Sequence, residues 1–374
     1  MLCWLTSWRA SSPRRWCAAS VRTLEEVTLR FAGCGADRPD WPVTFSLAHL
    51  TAGLAGLPRL RALSLAVEDV CMEATLPASV SRLAQLTSLS LRGFDNLCCE
   101  PGWARLPALE CLESEDCMFG SSDGETALPG VDALAALTSF GSWSCSGLRV
   151  LPASLWGLTQ LCELAHCGGA REVADVPRDV LPFACVPAGG AHCFASLTYL
   201  VLAGSTLPVF PPGVLAATRL THLELSHCCF AQLPQGVSVL TGLKELRLER
   251  HSAVAMEVGG ALDARALGSL ARFPHLSCLI FGNCSVLICP EFPAAAAHPC
   301  LEHLVLRTAY PDSGPSCVAF LGFVHALLRR GRARALCLVD SLVRGAGRRN
   351  SRNFRAALEA VGYPLSDADL VDLL

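Results

Sequence analysis

Lysine is almost missing from this 374-residue chain: Lys244 is the only one, and arginine carries the rest of the basic charge. That skew reads as a coding bias before it reads as a function. No stretch of ~18 apolar residues exists, which argues against a membrane-spanning helix. The longest candidates, around Leu276–Cys289 and Ala319–Leu328, are short or are bounded and broken by His275, Asn283 and His325. There is no excess of positive charge, since the net charge is −3 and the pI is near 6.4. A protein held globally to nucleic acid is therefore not expected. The first residues lack the continuous apolar core of a secretory signal. They carry Arg9, Arg14, Arg15 and Arg22, several serines and no acid before Glu25, a composition compatible with an organelle transit peptide or with a truncated start.

Catalytic signatures are missing too. The chain has no Walker loop, no G-x-G-x-x-G after a strand, no H-E-x-x-H and no G-x-S-x-G. The expectation is a non-enzyme with no cofactor, no catalytic residue and no metal. Cysteine, by contrast, is abundant: 21 residues, an odd number that would leave one unpaired in a disulfide framework. Without a secretory signal, reduced thiols in the cytoplasm are expected, with the nucleus or an organelle as alternatives. The glycosylation-type triplet Asn283-Cys284-Ser285 falls inside a repeat and is discounted.

What the chain does have is bulk and self-similarity. Hydrophobic residues make up 52% and charged residues 17%, so it is not a disordered chain. Its length exceeds the ~250–300 residues of one core, so it is two domains or one repeat array. The spacing L-x-x-L-x-L recurs along nearly all of it. Clear copies are Leu60-Leu63-Leu65, Leu86-Leu89-Leu91, Leu197-Leu200-Leu202, Leu220-Leu223-Leu225, Leu243-Leu246-Leu248 and Leu301-Leu304-Leu306. Weaker copies begin at Leu24, Leu109, Leu137, Leu161, Leu276 and Ala333, about twelve in all.

A second element fixes the phase. Ten residues before a copy stands an apolar residue, often followed by proline: Leu76-Pro77, Leu151-Pro152, Phe210-Pro211 and Leu233-Pro234. Apolar residues follow at helix-like spacing, as in Leu151, Leu155, Leu158 and Leu161, which suits a short helix or 3₁₀ segment with one buried face. Proline in its first turn sacrifices no donor. A third element is the ninth position of a copy, which is Cys117, Cys145, Cys228 and Cys284 in four of them.

With these three elements the chain resembles the leucine-rich-repeat proteins, L-x-x-L-x-L-x-x-N/C-x-L, over residues 24 to about 340. The LP-x-x-L half is similar to their intracellular, Ras-suppressor-like class and its plant intracellular relatives. The resemblance implies an α/β solenoid, a horseshoe with a parallel β-sheet on the concave face and short helices, 3₁₀ segments and loops on the convex face. It implies that the ninth-position cysteines point inward and bond to turn backbone. It also implies a non-catalytic scaffold for protein–protein interaction, of the kind used in signal transduction. The residues agree with the fold: leucines two apart share one face of a strand, and so short a strand needs stacked neighbours. The organisation expected is a flank over 1–23, the array over 24–340 and a helical cap over 341–374. Residues 166–194 read as an irregular loop, and 261–273 and 316–330 as longer convex helices.

The third, fifth and seventh positions of each copy face away from the leucines and form the expected partner-binding surface. They include Glu113, Glu115, Trp143, Tyr199, His222, Glu224, Arg247, Glu249, His303 and Arg307. Exposed Trp and Tyr are favoured at hot spots, and Glu110, Glu113, Glu115 and Asp116 make an acidic block. The arginines from Arg329 to Arg355 read as a solvated cap face, with an acidic protein or a nucleic-acid backbone as alternatives, although no aromatic residues interleave them before Phe354. Two further readings stand beside the scaffold. Residues 11–24 resemble the end of an F-box, which would make the chain a substrate-recognition subunit of a ubiquitin ligase; about 23 residues are too few for a complete box. Cys98-Cys99, Cys162 with His166-Cys167, His192-Cys193 and His227-Cys228-Cys229 would suit a metal- or redox-responsive protein, although none has paired C-x-x-C spacing.

Overall fold

The computed structural model describes residues 3–6, 24–32, 43–68, 72–120, 127–148, 151–168, 192–203, 212–228, 235–250, 272–282, 300–307 and 335–339. They belong to two compact units, Met1–Leu197 and Thr198–Leu374. In the first unit the repeat strands are β2 (Glu26–Ala32), β4 (Ala62–Glu68), β6 (Ser88–Arg92), β8 (Cys111–Glu115), β9 (Ser139–Cys145) and β10 (Glu163–Gly168). They pair in parallel in that order. In the second unit β11 (Tyr199–Ala203), β12 (His222–Cys228), β13 (Glu245–Arg250), β14 (Cys278–Gly282), β15 (His303–Arg307) and β16 (Ala335–Val339) do the same. Each strand starts two residues after the first leucine, or Ala333, of its copy, the six weaker copies included. The chain folds as an α/β leucine-rich-repeat solenoid.

The register shows why. In the first unit one inward row runs Val27, Leu63, Leu89, Leu112, Phe140, Leu164, all buried. In the second, Leu200, Leu223, Leu246 and Leu279 stand side by side, each fully buried. No strand of five residues could shield such side chains alone; each ladder neighbour supplies the wall for the next. The proline-led segments fold as 3₁₀ turns at Ala78–Arg82, Ala153–Gly157, Pro212–Ala216 and Gln235–Val239. Leu151, Leu155, Leu158 and Leu161 are buried, as their spacing requires.

Three features depart from the sequence reading. First, β1 (Cys3–Thr6), within the flank over 1–23, lies antiparallel against β2. Second, the first unit holds another parallel sheet, β3 (Val43–Ser46), β5 (Met72–Leu76) and β7 (Asn96–Cys99), where turns and loops were expected. These segments lie alongside one another because their copies stack, and the Met72 N–H also donates to the Asp95 carboxylate at 3.0 Å. One α-helix, α1 (Leu47–Leu54), turns Leu47, Thr51 and Leu54 inward, with the Thr51 and Ser79 hydroxyls 2.8 Å apart. Third, the two ends of the expected loop over 166–194 are regular: residues 166–168 are strand and His192–Ala195 is a 3₁₀ turn, while 169–191 lie outside the described residues. The proposed helices over 261–273 and 316–330 and the cap over 341–374 lie outside the described residues, apart from Arg272 and Phe273 beside β14.

The strands end in a shared manoeuvre. Gly93, Asp116 and Ser144 take left-handed backbone, with φ of 75°, 51° and 52°. Each follows the last outward residue of its strand and turns the next one, Phe94, Cys117 or Cys145, into the core. At Gly93 a Cβ would collide with the Val67 carbonyl oxygen, so only glycine fits.

Candidate partner-binding face

Alternation on β6, β8, β9 and β10 sends three rows of side chains outward in the first unit. The middle row is Ser90, Glu113, Gly141, Ala165, and the row beside it is Arg92, Glu115, Trp143, Cys167. Trp143 stays 36% exposed, one of few large apolar side chains to do so among the described residues. Its ring lies back over Gly141: a Cβ there would stand 2.9 Å from the indole nitrogen and 3.5 Å from Glu113 Cγ. Glycine is thus what lets the indole lie on the sheet, against Glu113. Arg92 bridges to Glu115 at 3.4 Å and to Asp116 at 4.0 Å, and Ser139 donates to Glu163 at 3.1 Å. Among the described residues the Glu113 carboxylate has no cation or donor, and the Trp143 indole N–H has no acceptor.

The second unit's face is wired differently. The Tyr199 ring stacks on His222, with centroids 4.3 Å apart and planes 15° apart. His222 Nδ1 lies 3.2 Å from Glu245, Arg247 pairs with Glu224 at 3.4 Å, and Ser226 donates to Glu224 at 2.8 Å. Of the residues expected to meet a partner, Tyr199, His222, Glu224 and Arg247 therefore meet one another. The His222 and Glu224 side chains are each only 16% exposed. His303 is exposed. In register Glu249 stands level with Ser226, and Arg307 level with Glu249 across Gly282.

Behind the first face the leucine ladder is interrupted. The second inward row begins Leu29, Leu65, Leu91 and continues Ser114, Ser142, His166. All three polar residues are buried, and burial pushes the His166 imidazole down to about 4. Ser114 donates to the Gly141 carbonyl at 3.3 Å. The ninth-position thiols sit beside this row. Cys117 donates to the Leu91 and Glu115 carbonyls at 3.4 and 3.3 Å, and Cys145 to the Trp143 carbonyl at 3.4 Å. A hydrogen bond with Cys145, and then burial, push the Cys117 thiol well above its usual range. Cys228 ends β12, and Cys284 lies outside the described residues.

Two of the pairs that suggested a metal are split by the same alternation. His166 points into the core while Cys167 faces outward beside Trp143, and Cys98 is exposed while Cys99 is half-buried, pushed up to about 12 by burial. Among the described residues no three His, Cys, Asp or Glu side chains stand close enough to hold a metal ion. Nor, among them, is any helix long and apolar enough to cross a membrane.

No protein-family profile matches the chain, and no curated protein matches it in sequence. Several solved structures are similar in fold. An internalin (InlF) from Listeria monocytogenes is 14% identical, with 86% of this chain and 89% of that one covered and a TM-score of 0.44. A leucine-rich-repeat protein of Leptospira interrogans is 16% identical over 79% and 75%, with a TM-score of 0.45. The plant peptide hormone receptor RGFR1, solved with RGF2, is 15% identical over 72% and 39%, also at 0.45.

Proposed function

We propose that this leucine-rich-repeat chain is a non-catalytic interaction scaffold that holds a protein partner on the sheet face of its first unit, centred on Trp143. The observation that carries the reading is the contrast between the two faces. Tyr199 stacks on His222 and Glu224 pairs with Arg247, so these side chains are engaged with one another, whereas Trp143 and Glu113 offer an exposed ring, a donor and a charge to something outside the chain. Aromatic anchors on a rigid sheet give binding area at little entropic cost. Among the described residues Cys98, Cys99, Cys111, Cys117, Cys145 and Cys278 are thiols outside any disulfide, which suits a cytoplasmic setting. That setting and the LP-x-x-L spacing favour the intracellular class and a role in signal transduction or assembly.

Affinity capture with mass spectrometry tests the reading. Wild type should retain a specific partner, and Trp143→Ala or Glu113→Arg should cut its recovery by about tenfold, in line with a modest hot spot. Arg247→Ala, on the self-paired face, should change recovery far less. Recovery unaffected by both first-unit variants would reject this face as the binding surface.

A further inference from the structure

We infer that the partner's contribution at Trp143 is an arginine side chain, presented by an extended basic segment. The inference rests on the partner-binding reading of this face and specifies its chemistry.

Three observations converge on a planar cation. Trp143 lies over Gly141 rather than standing away from the sheet, so a ring face is open to solvent. Indole is the best of the aromatic rings for attracting a cation over its face, and guanidinium is the cation that also stacks. Glu113, whose Cγ is part of the same floor, has no cation among the described residues to neutralise it, and it stands one strand from Gly141 in register. The neighbouring charge is mostly of one sign: Glu115 stands beside Trp143 in register and Asp116 follows it, and the cation paired with them, Arg92, already spans both. An acidic partner would meet repulsion here. The floor toward β4 is small and polar, with Ser64, Ser88 and Ser90 outward, so an extended backbone can approach without obstruction. A guanidinium laid on the indole places its N–H fork toward the Glu113 carboxylate, the planar geometry that arginine satisfies and ammonium does not.

The test uses the full chain and short fluorescein-labelled peptides that alternate glycine with arginine, lysine, citrulline or glutamate, read by anisotropy. Citrulline keeps the planar shape of arginine and loses the charge. The arginine peptide should bind best, lysine about threefold and citrulline about tenfold more weakly, and glutamate not measurably. Trp143→Ala should weaken the arginine peptide about tenfold, Trp143→Phe about threefold, and Glu113→Gln about fivefold. Gly141→Ala, which removes no contacting group, should also weaken it by lifting the indole. Circular dichroism melts confirm that each variant folds.

Equal binding of the arginine and citrulline peptides, no measurable binding of the arginine peptide, or binding that survives Trp143→Ala would each overturn the inference. The two readings fail separately. A captured partner lost on Trp143→Ala, with no preference among peptides, leaves the scaffold face standing and removes the arginine. Arginine-selective peptide binding with capture unaffected does the reverse.

Discussion

Replacing Leu223 by alanine should lower the free energy of unfolding by about 2–5 kcal/mol, seen as a fall in the urea midpoint at constant slope. Leu223 has no exposed surface and is flanked in register by Leu200 and Leu246, which are equally buried. Truncation removes its transfer free energy and leaves a void that two fixed neighbouring strands cannot close. Because each copy contacts only its neighbours, the loss is felt at two interfaces of the stack. Against a total of roughly 5–15 kcal/mol for a typical domain, that is a large fraction. Thr241→Ala, at an exposed turn, is the control and should stay within about 0.5 kcal/mol. A change of under ~1 kcal/mol at Leu223 would show that the ladder is not the shared interior described above.

Acid should weaken the first unit through one residue. Burial holds the His166 imidazole near 4 rather than 6.5. Above pH 6.5 the side chain is neutral folded or unfolded, and stability is unaffected by it. As pH falls from 6.5 towards 4, the unfolded chain takes up a proton that the buried ring refuses, so the folded state loses ground. The full loss is about 3 kcal/mol, at ~1.4 kcal/mol per pH unit of depression, and it is complete just below pH 4. His166→Leu restores the residue that the repeat asks for at this place. It should remove that part of the pH dependence, read as the difference between wild type and variant in urea midpoints at pH 7 and pH 4.5. Parallel pH profiles for the two proteins would exclude His166 as the cause.

The ladder was legible because its cause is local and periodic. A leucine two residues from another on a short extended segment has one way to be buried, and copies as weak as Leu137-Phe140-Ser142 still put Phe140 in the interior. His166 was misplaced for the same reason. The pattern expects leucine at its position, so a histidine looks like the start of a loop or half of a metal pair. The strand alternation that sends it away from Cys167 was implicit two residues earlier, at Leu164. The second sheet was illegible because Val43–Ser46 and Asn96–Cys99 are four residues long and become strands only through tertiary pairing. On the surface, sequence position identified Trp143 and Glu113 as outward-facing. It could not show that Tyr199 and His222 are stacked while the Trp143 ring lies back over Gly141. That distinction depends on rotamers, and on the missing Cβ of Gly141.

The reversed strand β1 has its own consequence. A solenoid grows by laying each new unit alongside the last in the same direction, and β2 would otherwise present its unused hydrogen-bonding groups to any passing chain. With four residues running the opposite way along it, from Cys3 opposite Ala32 to Thr6 opposite Leu29, that border no longer matches an incoming parallel unit. The parallel run of repeat strands is thereby bordered, on the β2 side, by a strand of the opposite direction, and the first repeat's own edge groups are already engaged.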